Sequence, residues 1–162
     1  MTRLPSLGRR GEGWVALQFG LLALTGLAGL VGPAWDLGIR PLEIAAGAVL
    51  MAAGLTLAGL GIRDLRQALT PLPYPRDDSE LVQTGVYRRV RHPIYGGLIV
   101  GSLGWGLATA SFAAIAMVVV LFGFFELKSR REEAWLETRY PDYPDYRART
   151  GRFIPWPGAT RG

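Results

Sequence analysis

From Ile94 to Phe125 the chain runs for 32 residues without a charge. As a single helix rising about 1.5 Å per residue, that run would be about 48 Å long. Fitting it across roughly 30 Å of hydrocarbon needs a tilt beyond the usual limit of about 40°. The run therefore has to turn back on itself. Breaking it at Thr109-Ala110-Ser111 leaves two helices of roughly 15 residues, a tight hairpin whose tip reaches the far side of a bilayer or stops just short of it.

Two further apolar runs precede the hairpin. Trp14 to Val31 is interrupted only by Gln18 and Thr25, and Leu42 to Ile62 contains one acid, Glu43, with Pro41 placed to suit a first helical turn. Trp14 to Val31 is too long for a signal peptide and is followed by Gly32-Pro33-Ala34-Trp35 rather than a small-residue cleavage site. Arg9-Arg10 lacks the rest of a twin-arginine signal, so the expectation is a retained anchor. With 49% apolar and 19% charged residues and a mean hydropathy of +0.20, an ordinary soluble globule is excluded. No cysteine and one histidine, His92, exclude disulfides, thiolate metal sites, zinc clusters and bis-histidine haem, so no metal is expected.

The basic residues flank the apolar runs, which argues for a membrane and against nucleic acid. Four spans, at about 14–31, 42–62, 94–109 and 111–127, put 17 of the 18 Lys and Arg residues on one side and Arg40 alone opposite. Three spans would send the eight basic residues from Lys128 onward across the membrane. The expected fold is thus an all-α integral membrane protein forming one membrane domain over 1–162. It has four transmembrane helices, the last two a hairpin, and a C-terminal helical extension. Both termini are expected to be cytoplasmic, and the expected location is a bacterial plasma membrane. Gly47, Gly54 and Gly61 recur every seven residues, and Gly97, Gly101 and Gly104 share a helical stripe, as close helix packing in lipid requires.

Two cytoplasmic segments, 63–93 and 128–162, carry the residues suited to chemistry. The first has a proline-rich turn at Thr70 to Pro75, an acidic pair at Asp77-Asp78, and then Gly85-Val86-Tyr87-Arg88-Arg89-Val90-Arg91-His92-Pro93-Ile94-Tyr95-Gly96. At His92-Pro93 a helix start offers free N–H groups and a dipole that attract an anion. The second has Glu126, Lys128, Glu132, Glu133, Tyr143 and Tyr146, and ends on Arg152-Phe153-Ile154-Pro155. Simpler readings exist for each. Arg91 can be an anchor of the positive side, and His92 an interfacial histidine. Glu132 and Glu133 can be surface acids paired with Lys128 or Arg130. Because adjacent helical positions point about 100° apart, only one of these two glutamates is expected to face a site. Trp105 reads as packing, Glu126 as an acid snorkelling at a span end, and Glu43 as tolerated at a helix N-terminus with no functional role.

In order and spacing, Gly85-x-Tyr87, Arg91-His92-Pro93-x-Tyr95-Gly96-Gly97, Glu132-Glu133 and Tyr143-x-x-Tyr146 closing on Arg152-Phe153-Ile154-Pro155 resemble the isoprenylcysteine carboxyl methyltransferase and phospholipid methyltransferase superfamily of small membrane enzymes. The resemblance covers residues 81–155. Val86 and Pro141 depart from the residues common there, proline and glycine, and the tail is about one residue short. The resemblance implies S-adenosylmethionine bound between the hairpin entry and the C-terminal helix, and a lipid-like acceptor entering from the bilayer. It implies Tyr87, Arg91, His92, Pro93, Tyr95, Gly96, Glu132, Glu133, Tyr143 and Tyr146 as cofactor-binding, with Arg91 and Glu133 also catalytic. Carboxyl O-methylation of an isoprenoid-type or other hydrophobic compound is the expected reaction. The alternatives are phospholipid or amine N-methylation and a non-catalytic four-span accessory protein.

Overall fold

The computed structural model describes residues 7–8, 11–31, 33–65 and 80–155. Arg9-Arg10, the proline-rich turn and Asp77-Asp78 lie outside them. The described chain is helical: α1 (Glu12–Val31), α2 (Arg40–Leu65), α3 (Pro93–Ala108), α4 (Phe112–Arg139) and α5 (Tyr143–Ala148), with a 3-10 turn at Gly85–Arg88. Its extended pairing is limited to isolated bridges, Ala34 to Ser111 and Val90 to Gly151.

Helices α1, α2 and α4 are long and apolar enough to cross a membrane. Helix α3, with 16 residues, is about 24 Å long and falls short of a full hydrocarbon crossing. The chain reverses where expected. Ala110 takes a positive φ of 50°, and Ser111 caps α4 by accepting a hydrogen bond from the Ala114 N–H at 3.1 Å. The tip is tied to the α1–α2 connection: Trp35 N–H donates to the Ala110 carbonyl at 2.9 Å, Ser111 Oγ to the Ala28 carbonyl at 2.8 Å, and Arg40 to the Ala108 carbonyl. Both turns therefore lie at the same end of the bundle.

Helix α4 runs twelve residues past 127, where the apolar span was expected to end. The charges that end the apolar stretch do not end the helix. The segment from Glu126 to Arg139 has neither Gly nor Pro and is rich in Leu, Glu, Lys and Arg, with Glu126 and Arg130 paired one turn apart at 2.8 Å. It stops at Tyr140, before Pro141.

The most extensive helix contact is between α2 and α3. A side chain at Gly54 would strike the backbone of Gly97 and Gly101, one at Gly97 would strike Gly54 and Ala58, and Gly47 and Gly104 exclude each other in the same way. Both glycine stripes thus serve packing, except at Gly101, beside which space remains open. Leu17, Phe19, Leu30, Leu55 and Val119 point outward, giving the bundle an apolar exterior. The buried core of Trp14, Leu121, Phe124, Phe125 and Phe153 lies toward the end opposite the hairpin tip. Trp105 packs as expected, donating to the Gly26 carbonyl at 3.3 Å. Glu43 accepts the Trp35 indole N–H at 2.7 Å.

Candidate functional site

The site forms where α3 begins. Pro93 opens α3 directly after His92, and the C-terminal tail lies along the residues before it. Arg91 N–H donates to the Gly151 carbonyl, His92 N–H to the Arg152 carbonyl, and Gly151 N–H to the Arg89 carbonyl, each at 2.9 Å. Gly96 makes this docking possible, since any side chain there would collide with the Phe153 carbonyl. The preceding 3-10 turn is fixed by Gly85, at a φ of +59°, and by the Asp64 carboxylate, which accepts the Val86 N–H at 2.8 Å.

Counting back through the antiparallel hairpin places residues 125 to 128 of α4 level with Tyr95 and His92, and Glu132 and Glu133 one turn beyond. Both glutamates reach His92, which corrects the expectation that only one would face the site. Glu132 Oε2 lies 3.3 Å from Nδ1 and Glu133 Oε1 lies 3.1 Å from Nε2. Side chains 100° apart on one helix straddle a ring placed between them. Only the imidazolium offers an N–H at both nitrogens, so two carboxylates favour the charged ring. Burial pushes the His92 pKa down, but the hydrogen bonds and charges of Glu132 and Glu133 outweigh it and hold the pKa above its ordinary value.

The two glutamates differ in what else they hold. Glu133, its side chain 4% exposed, also accepts from Arg91 Nε at 3.0 Å and Arg152 Nη2 at 3.1 Å, so three cations saturate it. Glu132, 14% exposed, accepts the Tyr95 hydroxyl. Tyr95 stacks between His92, at a centroid distance of 5.5 Å, and Phe125, at 4.7 Å. The Arg91 guanidinium is spent on the tail, donating to the Arg147 carbonyl at 3.0 Å, the Thr150 carbonyl and Thr150 Oγ1 as well as Glu133. Tyr146 donates to the Tyr87 carbonyl at 2.8 Å, and Tyr143 packs edge-on against it, its buried hydroxyl without a partner. Burial raises the pKa of Tyr87, Tyr143 and Tyr146, keeping their hydroxyls neutral.

A profile described as phospholipid methyltransferase matches residues 42–143, more than half of the chain and all but the first two residues of the α2 to α4 framework. The chain belongs to the phospholipid methyltransferase family. Among similar curated proteins, the nickel-cobalt-cadmium resistance protein NccN of Alcaligenes xylosoxydans xylosoxydans is 36% identical over 49% of this chain and 38% of its own length. The cobalt-zinc-cadmium resistance protein CzcN of Cupriavidus metallidurans is 33% identical over 54% and 41%. The protein-S-isoprenylcysteine O-methyltransferase of Schizosaccharomyces pombe is 35% identical over 48% and 34%. The matches span about two fifths of these relatives' length.

All ten residues singled out from the sequence for this family's site lie around the start of α3. They lie where the hairpin meets the tail, and Arg152, Thr150 and Glu126 join them there, while Lys128 lies outside this clamp and bonds to α1. Arg152 was visible only as part of the tail motif, and Thr150 was not singled out. Lys128, which the simpler reading offered together with Arg130 as a surface partner of the glutamates, is 1% exposed and donates instead to Gln18 of α1 at 2.6 Å, with its ammonium 4.9 Å from the Tyr95 ring centroid. Gln18, the lone amide of an apolar run, was the available signal. Glu126, read as snorkelling, pairs with Arg152 and Arg130. Among the described residues, no group of three or more His, Cys, Asp or Glu is placed to hold a metal ion.

Proposed function

We propose that this chain is an S-adenosylmethionine-dependent membrane methyltransferase acting on a lipid-like acceptor, and that the reaction is O-methylation of a carboxylate. The reading is carried by the His92–Glu132–Glu133 arrangement at the mouth of the hairpin, within the region matched by the family profile. The residues present fit the cofactor. Glu132 keeps an accessible edge for an ammonium, and Tyr143 holds a buried hydroxyl with no partner. Tyr95 adds an aromatic face beside them. Arg91 and Glu133 are saturated by each other and by the tail, so their part is to hold the site together rather than to touch ligand.

When bound, S-adenosylmethionine supplies an electrophilic methyl group on a sulfonium. A carboxylate acceptor is already ionised at neutral pH and needs no base, so orientation and water exclusion account for the catalysis. Glu132 and Glu133 favour the protonated form of His92, which makes the ring a poorer proton acceptor and favours an oxygen acceptor over an ammonium. The second reading, N-methylation of a phospholipid amine, draws on the family description. The names of the two metal-resistance relatives specify no reaction. In the proposed topology α1, α2 and α4 cross the bilayer, α3 is the short arm of the hairpin that leads to its tip at the far side, and both termini are cytoplasmic, supported by the 17-to-1 basic split and by the shared end of the two turns.

Calorimetric titration of the purified protein with S-adenosylmethionine tests the reading, and no binding at millimolar cofactor ends it. In membranes given methyl-labelled cofactor, label released as methanol by mild alkali identifies an ester. Alkali-stable label in phospholipid head groups moves the assignment to the amine reading.

A further inference from the structure

Around the hairpin mouth, the buried cations Arg91 and His92 have carboxylate partners, and Arg152 has two. Lys128, 1% exposed, differs from them. Its ammonium carries three donors, yet its contacts are one neutral amide oxygen, Gln18 Oε1, and the face of the Tyr95 ring, with no carboxylate within ion-pair distance. A buried charge is normally paired, and this one has two donors left over. It lies one helical turn deeper along α4 than Glu132, on the hairpin side of the two glutamates.

One helical turn deeper than Gln18 and Tyr95, the two groups that contact Lys128, begins a groove of about 290 Å³ between α1, α2 and α3, lined by Leu22, Gly26, Leu55, Leu98, Ser102 and Trp105 among others. Leu22 is one turn from Gln18 along α1, and Leu98 one turn from Tyr95 along α3. The open space beside Gly101 belongs to it. The cation thus stands between the proposed cofactor site and an apolar slot, the order in which a carboxylate-headed amphiphile would present its head and tail.

We propose that Lys128 is the recognition residue for the acceptor's carboxylate, held with Gln18 and the Tyr95 ring, and that the acceptor's tail lies in the α1–α2–α3 groove. This rests on the methyltransferase reading and makes it specific. A carboxylate supplies a counter-ion at hydrogen-bond distance, which Glu132 one turn away does not, whereas a phospholipid amine head would place a second cation beside the first. Lys128 is a positioning residue: it orients one carboxylate oxygen and leaves the other free.

The test is binding to the full chain in nanodiscs, with N-acetyl-S-farnesylcysteine, its neutral carboxamide and S-adenosylhomocysteine titrated separately. Wild-type protein is expected to bind the carboxylate at least tenfold more tightly than the carboxamide. Lys128→Met should erase that preference, Lys128→Arg should keep it, and S-adenosylhomocysteine should bind all three proteins equally. Ser102→Phe, which fills the groove, should weaken both amphiphiles alike and leave S-adenosylhomocysteine unchanged; if Lys128→Met does not fold, this variant and the wild-type preference decide. Equal wild-type affinities for the two amphiphiles overturn the proposal. So does a preference that survives Lys128→Met, or a loss confined to S-adenosylhomocysteine, which would give the ammonium to the cofactor's carboxylate. If wild-type protein binds no S-adenosylhomocysteine, the methyltransferase reading fails, a result separate from a missing carboxylate preference.

Discussion

Helix α3 is held along one side by a seam of backbone and at its start by a clamp of charge. Against α2, glycine meets glycine along the middle of the helix, Gly54 facing Gly97 and Gly47 facing Gly104, and a polar side chain, Arg40, enters only at the far end, on the Ala108 carbonyl. At the clamp, Arg91, His92 and Arg152 converge on Glu133 from the helix entry and the tail. In lipid, apolar side chains gain nothing by leaving one another for acyl chains, so a seam must hold by close approach, which small residues permit. A clamp of ions offers alternatives, because an incoming charged ligand can exchange partners with it. The difference teaches where this fold can adapt: the seam is set by shape, and the mouth is the part a ligand can rearrange.

The largest expected effect breaks the clamp. Glu133→Ala leaves Arg91 and Arg152 each short of a buried carboxylate, a loss on the order of 3–5 kcal/mol for disrupting a buried ion network. Thermal unfolding in detergent should show it, and limited proteolysis should find the 150–155 tail released first. Wild-type stability together with a protected tail would mean that the backbone bonds to Gly151 and Arg152 hold the tail unaided. Next comes the seam. Gly54→Leu forces side-chain atoms into the Gly97 and Gly101 backbone and should cost about 1–3 kcal/mol or more. Gly59→Leu, on the same helix with nothing within 4 Å, should cost nothing and gain helix propensity. Equal melting behaviour of the two variants would show that the seam is not what holds α2 to α3.

The seam was more legible in the sequence than the clamp, for a physical reason. Helical periodicity is a local property, so the sevenfold spacing of Gly47, Gly54 and Gly61 and the uncharged length of 94–125 mark which faces pack and where the chain must turn. The turn at Ala110 and the start of α3 at Pro93 follow from such local rules. The clamp depends on contacts between residues 19 to 59 positions apart, and its residue types were visible while their pairing was not. Arg91 reads equally well as an anchor, a ligand or a tail clasp until Thr150 and Glu133 are seen on its guanidinium. Glu132 and Glu133 read as divergent because nothing local says that a ring will sit between them. Lys128 was misplaced because a lysine just past an apolar run usually marks the water, and only its pairing with Gln18, 110 residues earlier, shows that it is buried. Charge marks a membrane boundary but not a helix boundary, so α4 continues beyond the expected span end at 127 as far as Arg139.

The smallest of these effects separates the clamp from the seam by pH, since the seam has nothing that titrates. His92 has an unfolded pKa of 6.5, raised in the folded protein because Glu132 and Glu133 outweigh the cost of burial. The groups facing its ring are these two carboxylates, the Arg91 and Arg152 guanidiniums that share Glu133, and the Tyr95 ring. A group whose folded pKa is raised contributes stability that is complete below its unfolded pKa and is lost as pH rises through the folded value. The His92 contribution is therefore full below about pH 6.5 and disappears on the alkaline side. The effect is small because Arg91 and Arg152 stay charged on Glu133 throughout. Hydrogen exchange at the His92 and Gly151 amides should accelerate beyond the intrinsic pH dependence as the ring loses its proton, while amides along Gly54 to Gly61 follow the intrinsic dependence alone. His92→Gln should flatten the first response without altering the second. Equal excess acceleration at both places would mean that clamp and seam open as one unit, and that the charge at the mouth is felt along the whole of α3.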